Sequence, residues 1–276
     1  MPKAKKIEDM PDVQNDTSGF PFKKIKKVGI RNVIVPLKIL RKDGTINIAS
    51  GNISIYTDLI ESIKGANMSR YRILVEDFLL YKDLNLRELI REILPATKEK
   101  LGASNSYIKI KFDYFLIKEA PVSKTKSFSN YECIIEGKLN GDKYKYYLMV
   151  KVPYTSLCPC SKRISEYGAH NQRSFAEVKV ELIDNKILWI EDIVDIVEKN
   201  ASAPIINTLK RNDEAYQTEL MYENPRFVED MCRLIGNDLD KHLDKEIKDY
   251  VIVVEHQESI HSSDAISVMT AGRELQ

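Results

Sequence analysis

Hydrophobic positions along the chain switch between two periods, and the switches mark the elements. Val33 to Leu40 and Ile46 to Tyr56 are rich in β-branched residues and read as strands. Lys42-Asp43-Gly44 separates them, with a glycine for the left-handed position of a hairpin turn. Strand character begins at Val28. Leu84, Leu86, Leu89, Ile90, Ile93 and Leu94 then recur at helical spacing, which predicts a helix with Gly102 as its stop. Tyr107 to Ile117 alternates, Ile and Phe against Lys and Asp, the two-residue period of a half-buried strand. Tyr131–Leu139 and Tyr144–Val152 flank Asn140-Gly141, a dipeptide suited to a tight hairpin.

The second half repeats this order. Phe175 to Ile183 alternates Val with Glu and Lys, and helices are predicted over 190–199 and 203–210. Asn224-Pro225 reads as the N-cap and first-turn proline of a further helix. Its apolar stripe is Val228, Met231, Cys232, Ile235, Leu239 and Leu243. Tyr250 to Glu255 is a strand, with Val251-Ile252-Val253-Val254 as its apolar run. Each half therefore runs strand, strand, helices, strand, strand, without a residue-level repeat. That order predicts an α+β protein of antiparallel sheets with helices on one face. Residues 1–24 are polar and lysine-rich (Lys3, Lys5, Lys6), with Pro2, Pro11 and Pro21, and read as an arm with little structure of its own.

Composition narrows the function classes. The 276 residues suffice for one large domain or two small ones, and 43% hydrophobic with 30% charged residues is ordinary for a globular chain. A net charge of +1 excludes a general polyanion binder, so no nucleic-acid partner is expected and any phosphate must be met by local cation clusters. No apolar run reaches the ~20 residues of a membrane helix, and no signal peptide opens the chain. Four cysteines at irregular spacing do not form a disulfide framework, so the cytoplasm is expected.

The chemistry concentrates in Ser156–Ser174, SLCPCSKRISEYGAHNQRS. Cys158 and His170 stand twelve positions apart, with Cys160 between them and Lys162, Arg163 and Arg173 alongside. Thiolate and imidazole suit zinc and other borderline metals, and the cations suit an anionic substrate. C-P-C is not the spacing of a thioredoxin motif. Cys133 and Cys232 read as small buried hydrophobes. A second stretch, EHQESIHSSD from Glu255 to Asp264, carries Glu255, His256, Glu258 and His261 at a strand end. His256 is open to a structural or a site role. His242, among Lys and Asp, reads as a surface residue.

These stretches, with MPDVQ (Met10–Gln14), KGANMSRY (Lys64–Tyr71), YENPRFVED (Tyr222–Asp230) and ESIHSSDA (Glu258–Ala265), resemble the motifs of type IB GTP cyclohydrolase I. The resemblance runs from residue 10 to residue 265. It implies a tunnelling fold of two tandem units, each a four-stranded antiparallel sheet with helices across one face. The units would cover residues 25–150 and 151–276, the second carrying the Cys/His site. It implies a homotetramer with active sites at subunit interfaces, GTP and water as substrates, and 7,8-dihydroneopterin triphosphate and formate as products. Zinc is the first expectation for the metal, with manganese and iron open.

By resemblance, Cys158 and His170 are the catalytic cysteine and the metal-site histidine, and both are expected to hold the ion. His261 matches another site histidine, as ligand or proton donor. Glu214 is the expected carboxylate near the metal, with the adjacent Asp213 as alternative. Glu229 is expected to grip the N1–H and 2-amino group of guanine, with Glu258 as competing anchor or proton carrier. Lys64, Arg70, Lys162, Arg163 and Arg173 are the candidate triphosphate clamps. Two departures stand out. Ala66-Asn67 replaces the family's Thr-His, and His261-Ser262-Ser263-Asp264 replaces His-Asn-His-Asp. They leave open an archaeal-type variant with a cyclic phosphate product. The remaining alternatives are a tunnelling-fold nitrile reductase, although no Gly-rich dinucleotide fingerprint is present, and a non-catalytic purine or pterin binder.

Overall fold

The computed structural model describes residues 23–82 and 85–272. The expected arm, apart from Lys23 and Lys24, and the MPDVQ motif lie outside them, as does Leu84. The first unit opens with β1 (Ile25–Leu40) and β2 (Ile46–Leu59), whose alternation buries Val33, Val35, Leu37 and Ile39 on one side. Gly44 turns the hairpin at φ +82°, a value that favours glycine. α1 (Met68–Tyr81) follows, a helix absent from the sequence reading. Its stripe of Tyr71, Leu74, Val75 and Phe78 is buried, but Asn67 makes no capping hydrogen bond, so the start carries no working stop-and-start signal. α2 (Leu86–Leu101) is better marked. Asn85 and Glu88 form a capping box, and Gly102 closes the helix at φ +62°. β3 (Asn105–Glu119) and β4 (Lys126–Asn140) complete the unit.

The order then restarts across the turn at Gly141 with β5 (Lys143–Leu157), so the expected boundary between 150 and 151 falls inside a strand. α3 (Pro159–Ile164), β6 (Asn171–Leu182) and α4 (Ile190–Asn200) follow. The helix expected over 203–210 is not formed. Ala203–Pro204 is a short strand, β7, paired with Thr155 and Tyr154 of β5. Proline disfavours helical backbone at the residue before it and removes a donor, which tips this segment to an extended form. Asn224-Pro225 does not open a helix either. Asn224 closes α5 (Arg211–Glu223) by donating from its side chain to the Leu220 carbonyl at 2.9 Å. α6 (Val228–Leu239) begins later, where the Asp230 carboxylate accepts from the Phe227 N–H. Its stripe is as read from Val228 to Leu239, with Met231, Cys232, Ile235 and Leu239 buried, but Leu243 lies past the helix end, after a turn at Asp240–His242, and is only partly buried. Cys133 is buried as well. β8 (Ile247–His256) and β9 (Ala265–Thr270) end the described chain.

All named pairs are antiparallel, in the order β1-β2-β3-β4-β5-β6-β8-β9 with β7 beside β5. The two four-stranded units thus share one sheet, joined through β4 and β5. Helices cover one face and enclose a single hydrophobic core. The other face carries charge, for example Glu136 between Lys109 (3.0 Å) and Lys179 (3.4 Å). Because every strand is long, the sheet has two well-separated ends. One, here the upper, holds the turns after β1, β3, β5 and β8; the lower holds the ends of β2, β4, β6 and β9. A 15-residue strand such as β5 separates them by ~45 Å.

Candidate active site

The upper end of β5 and β6 brings Cys158 and His170 together. The last strand pair is Leu157 with Asn171, and one step beyond it the Cys158 N–H donates to the His170 carbonyl at 3.1 Å. The residues between them form α3 and a loop in which Gly168 takes φ +114°, a conformation that favours glycine. Ser161 stitches this loop. Its N–H points to the Cys158 sulfur (3.5 Å), and its hydroxyl lies 3.2 Å from both the Cys158 carbonyl and the His170 N–H. From the loop after β8, Glu258 places a carboxylate oxygen 3.9 Å from His170 Nδ1, and the Ser259 hydroxyl stands 3.5 Å from the same nitrogen. Cys158 is half-buried and Cys160 exposed.

A polar floor lies under this cluster. The helix-facing positions of β6 read His170, Gln172, Ser174, then Ala176, Val178 and Val180, so polarity is confined to the upper end. Ser156 and Tyr154 on β5 and His256 on β8 complete the floor, and all three are buried. Tyr154 OH meets His256 Nε2 at 3.0 Å with the rings edge to face. His256 is therefore a structural residue of the floor. Burial lowers its pKa to about 4, and the nearby Glu229 carboxylate offsets part of that drop. In an unfolded chain the group titrates at about 6.5. The folded state therefore disfavours the proton. Its contribution is complete above about pH 6.5 and is lost as pH falls toward 4, by roughly 3 kcal/mol across that window. Urea unfolding at several pH values is expected to show this slope. His256→Leu should be weaker at pH 7, because Tyr154 loses its partner, yet flatter between pH 6.5 and 4. Equal slopes in parent and variant would contradict the assignment.

The sheet changes partners beside the cluster. β5 pairs with β4 only up to Lys151; above it, β7 takes the place of β4 at Tyr154 and Thr155. The wedge is braced on both sides. Asn207 donates to the Phe128 carbonyl of β4 at 2.5 Å, and Thr155 donates to the Ala203 carbonyl at 2.9 Å. α5 then crosses the upper end. Its Asp213 carboxylate is fully buried and accepts from the N–H groups of Val122, Ser123 and Lys210. Burial alone would raise its pKa, but these hydrogen bonds hold it well below the usual carboxylate range. At the far end of α5, Lys162 donates to the Tyr222 carbonyl and lies 4.2 Å from the centre of its ring.

Residues 10–267 match the family model described as Type I GTP cyclohydrolase folE2. The chain belongs to this family. It is 43% identical over 263 residues to the GTP cyclohydrolase FolE2 of Dictyoglomus turgidum (strain DSM 6724 / Z-1310), covering 95% of this chain and 98% of that one. To the GTP cyclohydrolase FolE2 of Geobacter sp. (strain M21) it is 40% identical over 271 residues, covering 98% and 97%. Among solved structures, the uricase of Arthrobacter globiformis superposes with a TM-score of 0.54 at 8% identity, covering 94% of this chain and 96% of that one. At that identity the likeness concerns the fold alone, the tunnelling fold.

Against this FolE2 family background, the structure sorts the predicted site residues into three groups, apart from Lys162, which is held against Tyr222. Cys158, His170 and Glu258 stand together. Arg163, Arg173, Glu214, Glu229 and His261 are exposed at or beside the upper end, on α3, β6, α5, α6 and the β8–β9 loop. Lys64 and Arg70 lie at the lower end, where Arg70 reaches the Lys100 carbonyl at 3.5 Å. Asp213 is spent on backbone hydrogen bonds, which leaves Glu214 as the carboxylate of that pair free to face a ligand. Among the described residues no group of three or more His, Cys, Asp and Glu side chains is arranged to hold an ion. The donor types at Cys158 and His170 nonetheless fit a borderline divalent metal, and two protein donors leave positions for water or substrate. Gln172, Ser156, Ser174, Tyr154 and Ser259 were not singled out from the sequence. The parity of His170, Gln172 and Ser174 along one strand face was the signal for Gln172 and Ser174.

Proposed function

We propose that the chain is a GTP cyclohydrolase that opens the five-membered ring of GTP with water. C8 leaves as formate and the remaining atoms become 7,8-dihydroneopterin triphosphate, the start of a pterin or folate pathway. The observation that carries the reading is the meeting of Cys158 and His170 at the mouth of β5 and β6, in a chain matched to the FolE2 family over 258 of its positions, 10–267.

C8 of guanine needs a stronger nucleophile than neutral water. Cys158 and His170, with Glu214 or His261, would hold a zinc, manganese or iron(II) ion, which would supply that nucleophile by lowering the pKa of water. The chain's own residues do the rest. Glu258, beside His170, is the choice to carry a proton to or from the reacting ring. Glu229, in the first turn of α6, is the choice to accept from guanine N1–H and the 2-amino group together. Arg163 and Arg173 face solvent at the same end and suit the triphosphate.

Lys64 and Arg70 cannot reach that end within one chain, since a strand length separates them from Cys158. If they clamp phosphate, they do so from a neighbouring copy. This supports a homotetramer with shared sites. Both sheet edges support it too: β1 and β9 each carry exposed apolar residues, Ile34 on one and Ile266 and Val268 on the other. The thiols of Cys133, Cys158, Cys160 and Cys232 are all free, in keeping with a cytoplasmic enzyme. No helix among the described residues is long and apolar enough to cross a membrane.

Chelation followed by refilling with zinc, manganese or iron(II) tests the reading. The refilled samples should convert GTP to a product with the mass of 7,8-dihydroneopterin triphosphate, and the stripped sample should not. Turnover that ignores chelation, or loss of phosphate with the purine intact, would refute it.

A further inference from the structure

We propose that Gln172 is a positioning residue that fixes the tautomer of His170, holding the proton on Nδ1 and presenting a bare Nε2 to the site. The inference rests on the reading of His170 as the site imidazole and adds how that ring is prepared. Gln172 Oε1 lies 2.9 Å from His170 Nδ1. The amide is anchored from behind: Gln172 Nε2 donates to Ser156 Oγ at 2.8 Å, and Ser156 Oγ lies 2.8 Å from Ser174 Oγ. Gln172 is 6% exposed and the two serines are fully buried. Water therefore does not compete for these groups, and their hydrogen bonds must be made within the chain.

The direction of the chain of bonds follows from its partners. With Nε2 of the amide committed to Ser156, the atom that faces His170 is an oxygen, which only accepts. Two further groups face Nδ1: the Ser259 hydroxyl at 3.5 Å, which can donate or accept, and the Glu258 carboxylate at 3.9 Å, which when ionised only accepts. The nearest partner, the Gln172 oxygen, is an acceptor, so Nδ1 carries the hydrogen and donates it. A neutral imidazole with Nδ1–H keeps its lone pair on Nε2, the nitrogen left for a ligand. Strand pairing makes the arrangement rigid. Ser156 and Gln172 are register partners on β5 and β6, and Ser174 is the next residue on the same face. Outer partners of this kind orient ligating histidines, and their loss typically weakens metal binding by about 10–100-fold.

The test is a nitrogen-15 spectrum of the metal-free protein labelled in histidine, at a pH where the ring is neutral. It reads the tautomer directly and needs no turnover. His170 in the parent should show a protonated Nδ1 and an unprotonated Nε2. Gln172→Met keeps the volume and removes the acceptor, and should shift His170 toward the Nε2–H form. Gln172→Glu restores an acceptor and should return the ring to the Nδ1–H form. Manganese binding, measured by the free-ion spin resonance signal, should weaken by about 10–100-fold in Gln172→Met. An Nε2–H ring in the parent, or a tautomer unchanged in Gln172→Met, would overturn the inference. Because the spectrum is taken without metal or GTP, that failure would leave the cyclohydrolase reading itself untouched. Conversely, a chain that does not turn over GTP could still show the predicted tautomer.

Discussion

Cys158→Ala is expected to lower kcat/KM for GTP by about a thousandfold or more while leaving the fold intact, a loss of roughly 4 kcal/mol or more in transition-state stabilisation. The size follows from position. Cys158 is the one thiol that stands beside His170, and an ion or a reacting ring held there would lose its sulfur partner with nothing to replace it. The fold should tolerate the change. The side chain is half-buried, its hydrogen bond from Ser161 is a long 3.5 Å, and the Ser161 hydroxyl still ties the loop ends together. The thermal midpoint should move by only a few degrees, as expected for about 1 kcal/mol. The informative control is Cys160→Ala. Cys160 is exposed two residues away and should keep near-parental rates. Equal losses in the two variants would remove Cys158 from its assigned place.

A second large effect concerns the lower end of the sheet. Arg70→Ala should turn over GTP poorly at low substrate, as Cys158→Ala does at any concentration, and yet the two should rescue each other. Arg70 and Cys158 lie at opposite ends of strands some ~45 Å long, so a site that uses both must draw them from two copies. Co-refolding the two variants in equal amounts creates assemblies in which some sites receive Cys158 from one parent and Arg70 from the other. With random mixing about one site in four is complete, so about a quarter of the parental activity should return. No recovery beyond the separate variants would mean that the two residues serve one chain, or that Arg70 has no part in the site. An affinity tag on one variant, with capture of the untagged partner alongside it, shows whether subunits have exchanged, which the comparison requires.

Much of this architecture is legible in the sequence, and what is not has definite physical causes. Strand alternation, the Asn140-Gly141 turn and the stripes of α2 and α6 are local signals, and each appears where it reads. α1 has a clear buried stripe but no capping side chain at its start. β7 is two residues long and exists only because β4 and β5 part above Lys151 and leave a ladder to be completed. β9 is a six-residue edge strand whose alternate residues are exposed, so its pattern is weak. In the site, Cys158 and His170 are close in both sequence and space because a single hairpin carries them. Glu258 joins them only through the β6–β8 pairing of Ser174 with His256, a register that no local pattern encodes. KGANMSRY marks Lys64 and Arg70 as family residues, but a motif carries no information about which copy of the chain it serves. The ordinary-looking residues of the floor, Ser156 and Ser174, acquire meaning only when the strands are laid side by side.

The central claim is that this chain removes C8 from GTP at the Cys158–His170 site. The most direct test supplies GTP carrying carbon-13 at C8 to the metal-loaded protein and follows the label by NMR. The account predicts that the signal leaves the purine and appears in formate, in step with the loss of GTP, and that Cys158→Ala leaves it in the ring. Label retained in a purine while the parent consumes GTP, or formate released at the parental rate by Cys158→Ala, would contradict it.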